Sequence, residues 1–436
     1  MLFLVSNFLP LLIFVALYVG TGLYLTAVGV EQAFYQLPPT IAILPAIILA
    51  WLLYRGNTKE RLQGLLDGMR HPDILSMCLI FLLAGAFSSI TSAIGSIDAL
   101  VQLAFSFIPG PWLLMGLFIT AALLSIALGT SMGTIAAITP VAYGLSAQGA
   151  FPAALGAATV VGGAMLGDNL SLISDTTIAS VLSQQADWRA KCRLNAQVAC
   201  VTTIITLALL WCQPQHPQPT LDHQPYSLVL ILPYCIVITL ALLGTHVFIA
   251  LTLGIMSTMA IGFIATDYPV LALAQSIANG FTSMQEILLL SLLIGGLSGL
   301  MAPATRRLTQ QLTAWLTKWE VGYKPAQFLI AAIVSLFNLL LANNTIAIIV
   351  SGDFAKSIGE RYQLLPAHYR AVCLDCFACV IQGVIPYGAQ ILLASSIAKV
   401  SPIAVTQQVY YCYALAVVTS LWIVSQRNRA PVGSGL

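Results

Sequence analysis

Four stretches of this chain, 112–147, 152–188, 326–357 and 366–398, are apolar, too long for one membrane crossing, and broken near the middle by Gly, Pro, Asn or Ser/Thr. A helix spans the hydrocarbon of a bilayer in about 20 residues. Irregular backbone survives at that depth only where protein or a water-filled cavity surrounds it. These stretches must therefore fold back or break, and the rest of the chain must shelter them. Uninterrupted apolar stretches near 6–28, 38–54, 73–90, 195–212, 226–244, 246–265, 286–302 and 403–425 can do so. Of 436 residues 59% are hydrophobic and 7% charged, against roughly 25% charged in a soluble domain. The chain reads as an all-α polytopic membrane protein in contact with the lipid bilayer. Its net charge of +2 gives no case for nucleic acid. The opening MLFLVSNFLP has no basic region and no small-residue cleavage site after it, so it reads as a retained first helix.

Charge orients the crossings, because Lys and Arg collect in cytoplasmic loops. They cluster at Arg55/Lys59/Arg61/Arg70, Arg189/Lys191/Arg193, Arg306/Arg307/Lys318/Lys324 and Lys356/Arg361/Arg370, with Arg427 and Arg429 in the tail. The segments 29–37, 91–111, 213–225 and 266–285 carry none and belong outside. Both termini come out cytoplasmic. The Lys356–Arg370 loop reaches the cytoplasm only if 112–147 and 326–357 are hairpins, whether re-entrant or fully crossing. Their tips fall near Gly129–Thr134 and Asn343–Thr345.

The two halves resemble each other. Gly133-Thr134-Ile135-Ala136 aligns with Asn344-Thr345-Ile346-Ala347, and Asp73-Ile74-Leu75 with Glu286-Ile287-Leu288. The basic segment 55–70 matches 266–285, which has no Lys or Arg, and 91–111, which also has none, matches the basic 305–324. Corresponding segments thus lie on opposite sides, as in an inverted repeat. The expected organisation is a first repeat over 1–212 (hairpin 112–147, broken helix 152–188), a second over 226–425 (hairpin 326–357, broken helix 366–398), and a cytoplasmic tail, 426–436. Each repeat makes five crossings. Inverted repeats with paired interrupted helices are the pattern of secondary transporters, with the site between the repeats. No Walker motif supplies ATP binding, and no ordered cluster of catalytic side chains suggests an enzyme. Cys373, Cys376 and Cys379 are spaced so that a helix spreads them around its circumference, which fits packing better than a metal.

The segment Gly167–Thr177, GDNLSLISDTT, sets Asp168, Asn169, Ser171, Ser174, Asp175, Thr176 and Thr177 between apolar stretches. A carboxylate at the bilayer centre costs about 2.5–3.5 kcal/mol on insertion scales, and such residues usually face an ion or substrate path. Carboxylate, hydroxyl, amide and freed carbonyl oxygens suit Na⁺ or another small cation and suit zinc or copper poorly. The alternative is an end-of-helix loop with Asp175 as a cap. The first hairpin tip offers Thr130, Ser131 and Thr134, and the second Asn343, Asn344 and Thr345. The second interruption, Gln382-Gly383-Val384-Ile385-Pro386-Tyr387-Gly388-Ala389-Gln390, offers Gln382, Tyr387 and Gln390. Asp375 precedes it, either as a third carboxylate of the site or paired with Arg370. No intramembrane Lys or Arg stands out.

GTSMGT at 129–134, GDNLSLISDTT at 167–177 and Ile385-Pro386-Tyr387-Gly388-Ala389 make the chain resemble the NhaC-type sodium/proton antiporter family, over roughly residues 35–425. That family reads closer to G-D-K-x-S-P-x-S-D-T-T and I-P-W-N. Here Asn169 replaces the Lys, Leu172 the Pro, and Tyr387-Gly388 the Trp-Asn. The resemblance implies a sodium/proton antiporter of a bacterial inner membrane, with Na⁺ and H⁺ as cargo and no cofactor. Asp168 and Asp175 would bind cation and proton in turn. The alternative is sodium-coupled transport of an amino acid or small organic acid. A homodimer is compatible with either.

Overall fold

The structure, a computed structural model, describes residues 2–30, 36–171, 174–214, 227–266, 268–316, 322–362 and 366–426. Leu172 and Lys318, and Arg427 and Arg429 of the tail, lie outside these residues. Among the described residues the regular elements are all helices. The chain opens with α1 (Leu2–Val15), a π-helical turn over Ala16–Gly20, α2 (Thr21–Ala27), α3 (Pro39–Ala42) and α4 (Leu44–Leu53). Next come α5 (Thr58–Met69), α6 (Pro72–Ala93) and α7 (Ser96–Phe107). A hairpin of α8 (Leu113–Leu128) and α9 (Ser131–Ala147) precedes the interrupted pair α10 (Ala153–Leu170) and α11 (Asp175–Gln184), and α12 (Trp188–Trp211) closes this half. The second half holds α13 (Leu232–Leu242), α14 (Val247–Ala265), α15 (Val270–Ser283) and α16 (Gln285–Leu316). A hairpin of α17 (Tyr323–Leu341) and α18 (Asn344–Tyr362) follows, then the interrupted pair α19 (Ala367–Gln382) and α20 (Ala389–Ala398), α21 (Pro402–Thr406) and α22 (Tyr410–Ser425).

Among the described residues, six helical stretches are long and apolar enough to cross a membrane: Pro72–Ala93, Gly110–Leu128, Trp188–Trp211, Val247–Ala265, Val270–Thr305 and Tyr323–Leu341. Their outward faces carry large apolar side chains. Leu79, Leu123, Ile204, Met256 and Leu289 are exposed, while Phe87, Phe118 and Phe337 are fully buried. Water would not tolerate such a surface on this scale; lipid does. The chain is a multi-pass membrane protein.

Both hairpins turn where local backbone demands it. α8 ends on Gly129 at φ +67°, and α17 ends on Ala342 at φ +49°. Glycine takes the left-handed region freely, whereas Ala342 must be held there by its surroundings. Segments read as plain connections carry helices of their own. α5 begins at Asn57 with a reciprocal cap, Asn57 Oδ1 accepting from the Glu60 backbone N–H at 2.9 Å while the Asn57 N–H reaches Glu60 Oε2 at 3.3 Å. α7 and α15 occupy the 91–111 and 266–285 segments. α5 packs on α16 and α15 on α6. At the first crossing a Cβ on Gly68 would stand 2.8 Å from Gly299 Cα, and at the second a Cβ on Gly280 would stand 2.7 Å from the Ala86 amide. Glycine lets these backbones touch, the usual device where helices meet in lipid.

Candidate functional site

The interruption between α10 and α11 is built by its own polar residues. Gly163 and Gly167, one turn apart, press α10 onto α8, where a Cβ on Gly163 would lie 2.8 Å from Ala121 Cβ. Ser125 Oγ donates to the Ala164 carbonyl at 2.7 Å across the same contact. At the break Ser171 Oγ donates to the Ile126 carbonyl at 3.0 Å, fixing it against α8. The Asp168 carbonyl accepts from Ser174 Oγ at 2.8 Å and the Asn169 carbonyl from Asn195 Nδ2 at 2.9 Å. Ser174 Oγ also accepts the Thr177 backbone N–H at 3.2 Å, starting α11, and lies 3.0 Å from Thr176 Oγ1. Side chains thus take up the helix-end carbonyls that water would take elsewhere.

Asp168 is 6% exposed. Its Oδ2 accepts from Ser131 Oγ of the first hairpin at 3.1 Å, and Ser131 Oγ accepts from Gln390 Nε2 at 3.3 Å. Gln390 Oε1 accepts from Gln382 Nε2 at 2.6 Å, and Gln382 Nε2 also reaches the Ala342 carbonyl at 3.2 Å. One file of hydrogen bonds therefore runs from the first interrupted helix, through the first hairpin and the second interrupted helix, to the tip of the second hairpin. Tyr387 Oη donates to the Leu339 carbonyl at 2.8 Å, tying the second interruption to α17.

Asp375 is fully buried, and its partner is not Arg370. Lys191 Nζ, itself fully buried, donates to Asp375 Oδ2 at 2.6 Å and to Thr177 Oγ1 at 2.7 Å. Asn195 Nδ2 donates to the same carboxylate oxygen at 2.6 Å. Arg370 Nε donates instead to Gln184 Oε1 at 2.8 Å, and Gln184 Nε2 to the Gly352 carbonyl at 2.8 Å. The chain thus holds two buried basic groups that the sequence reading assigned to basic loops. Lys191 enters the interior because α12 begins at Trp188, capped by Asp187, whose Oδ1 accepts the Arg189 N–H at 2.8 Å. Lys191, Asn195, Thr202 and Thr206 recur at helical spacing on one buried face of α12. That polar stripe was the signal available in the sequence.

The remaining candidate residues are distributed unevenly. Asp175 is exposed at the head of α11 and does not share a helical face with Asp168, because the helix breaks between them. Asn343 and Asn344 are buried, but their oxygens cap the start of α18: Asn343 Oδ1 accepts the Ile346 N–H at 2.9 Å and Asn344 Oδ1 the Thr345 N–H at 3.0 Å. Thr134 Oγ1 donates to the Thr130 carbonyl at 3.3 Å. Cys373, Cys376 and Cys379 are buried free thiols. Among the described residues no three His, Cys, Asp or Glu side chains gather as a metal site.

Three buried acceptors, Asp375 Oδ1, Asn169 Oδ1 and Gln382 Oε1, have no hydrogen-bond partner. Buried oxygens left open in this way call for an explanation, and carboxylate and amide oxygens are the hard ligands an alkali cation takes. A cavity of about 460 Å³ opens between α5, α6, α16 and the second hairpin, lined by Gly68, His71, Ser298, Gly299, Leu341 and Ile346. Its end at Leu341 adjoins the hairpin tip.

With the carboxylate at the helix break in view, the comparisons can be set beside it: the sequence model of the Na⁺/H⁺ antiporter family matches residues 4–211. Over residues 4–211, just under half of the chain, the sequence is similar to that family. This is a family of antiporters and not of enzymes. The match ends with α12, short of the 35–425 extent expected from the motifs, and leaves the second interruption outside it. The malate-2H⁺/Na⁺-lactate antiporter of Bacillus subtilis (strain 168) is 27% identical over 197 residues, 43% of this chain and 40% of the relative. The chain thus aligns with less than half the length of that relative. Among solved structures, the Alcanivorax borkumensis YdaH transporter is similar over 85% of this chain and 89% of its own, at 14% identity and a TM-score of 0.47. Neisseria gonorrhoeae MtrF, from a structure described as illuminating antimetabolite efflux pumps, is similar over 95% of both chains at 13% identity and a TM-score of 0.39. At these scores neither structure bears on the site.

Proposed function

We propose that this protein is a secondary active transporter that exchanges Na⁺ for H⁺ across a bacterial inner membrane, with Asp168 binding cation and proton in turn. One observation carries the reading. A buried carboxylate sits at the interruption between α10 and α11, bonded to a hairpin tip, in the half of the chain that the antiporter family model matches. Ser131, Asn169, Ser171, Ser174, Thr176 and Thr177 line the same break, with Gln382, Tyr387 and Gln390 opposite. Asp175, exposed at the head of α11, is the second carboxylate, on the approach to Asp168. One proton or one Na⁺ neutralises Asp168, so the two compete, and competition for one site gives antiport under alternating access.

The proposed architecture is a pair of inverted repeats of five crossings, 1–212 and 226–425, with both termini cytoplasmic. Matching helix ends support it. Pro366 lies 214 residues after Pro152, Gly388 214 after Ser174, and Lys399 214 after Gln185. Ser174 and Gly388 cap the second helical pieces at the same φ −71° and ψ 144°, and Gln185 and Lys399 both end them in the left-handed region. Reciprocal packing supports it too: α11 packs on α18 and α20 on α9, as α5 does on α16 and α15 on α6. In this register Gln382 stands where Asp168 does, so the first repeat brings the carboxylate and the second its neutral amide counterpart.

The test is Na⁺-driven proton movement in proteoliposomes. Exchange is expected in the wild-type protein and lost in Asp168→Asn; undiminished exchange by that variant overturns the assignment. A second reading, sodium-coupled transport of an amino acid or small organic acid, is favoured by the cavity beside the second hairpin, about 460 Å³, and by the malate and lactate in the Bacillus relative's name. Uptake of radiolabelled malate or lactate that follows a Na⁺ gradient would select it. A homodimer is part of neither test.

A further inference from the structure

The buried centre holds more charge than Asp168 alone. Asp375 and Lys191 are both fully buried and in direct contact at 2.6 Å. Asn195 joins them to the break, since its Nδ2 donates both to Asp375 Oδ2 and to the Asn169 carbonyl. Thr177, the third residue of α11, accepts a second hydrogen bond from Lys191 Nζ at 2.7 Å. Asp168, at the break itself, is the second buried carboxylate. Asp175 is exposed and screened by solvent, and Arg370 turns to Gln184 on the α11 and α18 side. The interior account is therefore two carboxylates against one ammonium. Asp375 Oδ1, on the carboxylate that holds that ammonium, and Asn169 Oδ1 at the break have no hydrogen-bond partner.

We propose that Lys191 is a resident cation of the transport centre. Its ammonium occupies one of two cation positions beside the break, so the centre takes up a single mobile monovalent cation. The geometry fits this role better than a static strut. A Lys ammonium is a point charge on a flexible stem, and it lies among carboxylate, hydroxyl and amide oxygens of the kind that hold Na⁺. The inference rests on the cation-exchange reading and adds its charge count. That count makes Asp375 matter in an unusual way. Without the Asp375 charge, Lys191 would compensate Asp168 and leave no deficit for Na⁺ to fill.

Na⁺ binding to the purified full chain tests this, with radioactive Na⁺ alone as the probe. One Na⁺ per chain is expected for wild type. Asp375→Asn should raise half-saturating Na⁺ at least tenfold although Asp168 is intact, and Lys191→Gln with Asp375→Asn should restore one Na⁺ near the wild-type affinity. A purely structural ion pair predicts no such rescue. Lys191→Gln alone should bind two Na⁺, and it decides the question if the double variant does not fold. The proposal is overturned if Asp375→Asn binds Na⁺ like wild type, if a folded double variant fails to recover, or if Lys191→Gln binds only one. Those outcomes leave wild-type binding, and with it the cation-exchange reading, intact. Absence of Na⁺ binding in wild type and every variant overturns both.

Discussion

Ser131 and Gln390, 259 residues apart, meet in a hydrogen bond of 3.3 Å, and through Ser131 that bond ends on the Asp168 carboxylate. Both donors point toward the charge, so the file is set to stabilise an ionised Asp168. A hydrogen bond to a charged group contributes about 1.5–3 kcal/mol. Ser131→Ala should therefore raise half-saturating Na⁺ in exchange assays by about tenfold or more. Gln390→Ala, one bond further from the charge, should have the smaller effect. Equal Na⁺ curves for wild type and Ser131→Ala would show that the tip serves packing alone.

Asp168 and Asp175 should differ sharply in their variants. Asp168 is buried at the break, whereas Asp175 is exposed in the first turn of α11. An acidic side chain at a helix head contributes about 0.3–1 kcal/mol. Asp175→Asn should lower the exchange rate by no more than about fivefold, while Asp168→Asn should abolish it. Matched rate measurements on both variants in proteoliposomes check the ranking.

Acidification should act as a competitor of Na⁺. The proton and the cation neutralise the same carboxylate, so below the pKa of that group half-saturating Na⁺ should climb by about tenfold per pH unit, and above it the value should level off. Maximum rate at saturating Na⁺ on the binding side should change far less than half-saturation. Na⁺ titrations at a series of pH values would show the sloping and level regions; a half-saturation independent of pH throughout would exclude a shared site.

The two glycine crossings should be intolerant of bulk. A Cβ on Gly68 would sit 2.8 Å from Gly299 Cα, where backbone and not a movable side chain is in the way. Overpacking typically costs about 1–3 kcal/mol. Gly68→Leu and Gly280→Leu should each lower the melting temperature of the detergent-purified protein. Gly20→Leu, where a Cβ would meet nothing within 4 Å, should not.

Much of the fold was legible because its signals are local. The length of an apolar run, a Gly or Pro within it, and a Ser or Asp at a helix head act over a few residues. They marked the hairpins at Gly129 and Asn343, the interruptions at Ser171 and Pro386, and Asp168 as a carboxylate out of place in lipid. Local signals also misled where a polar run was taken for a connection. The segment around Asn57 and Glu60 is a capped helix whose apolar side needs α16, and that partner lies more than two hundred residues away.

The sequence by itself determined that this chain lives in lipid, that four of its apolar stretches cannot run straight, and that Asp168 must be sheltered. Each follows from the cost of putting polar groups in hydrocarbon, which depends on residue type and spacing alone. Only the tertiary structure decided which charge meets which. Lys191 reads as one more cytoplasmic lysine until α12 is packed against α11 and α19, and the ion pair then forms with Asp375, 184 residues away. An ion pair depends on distances of a few ångströms between side chains, and nothing in the order of residues along the chain specifies them.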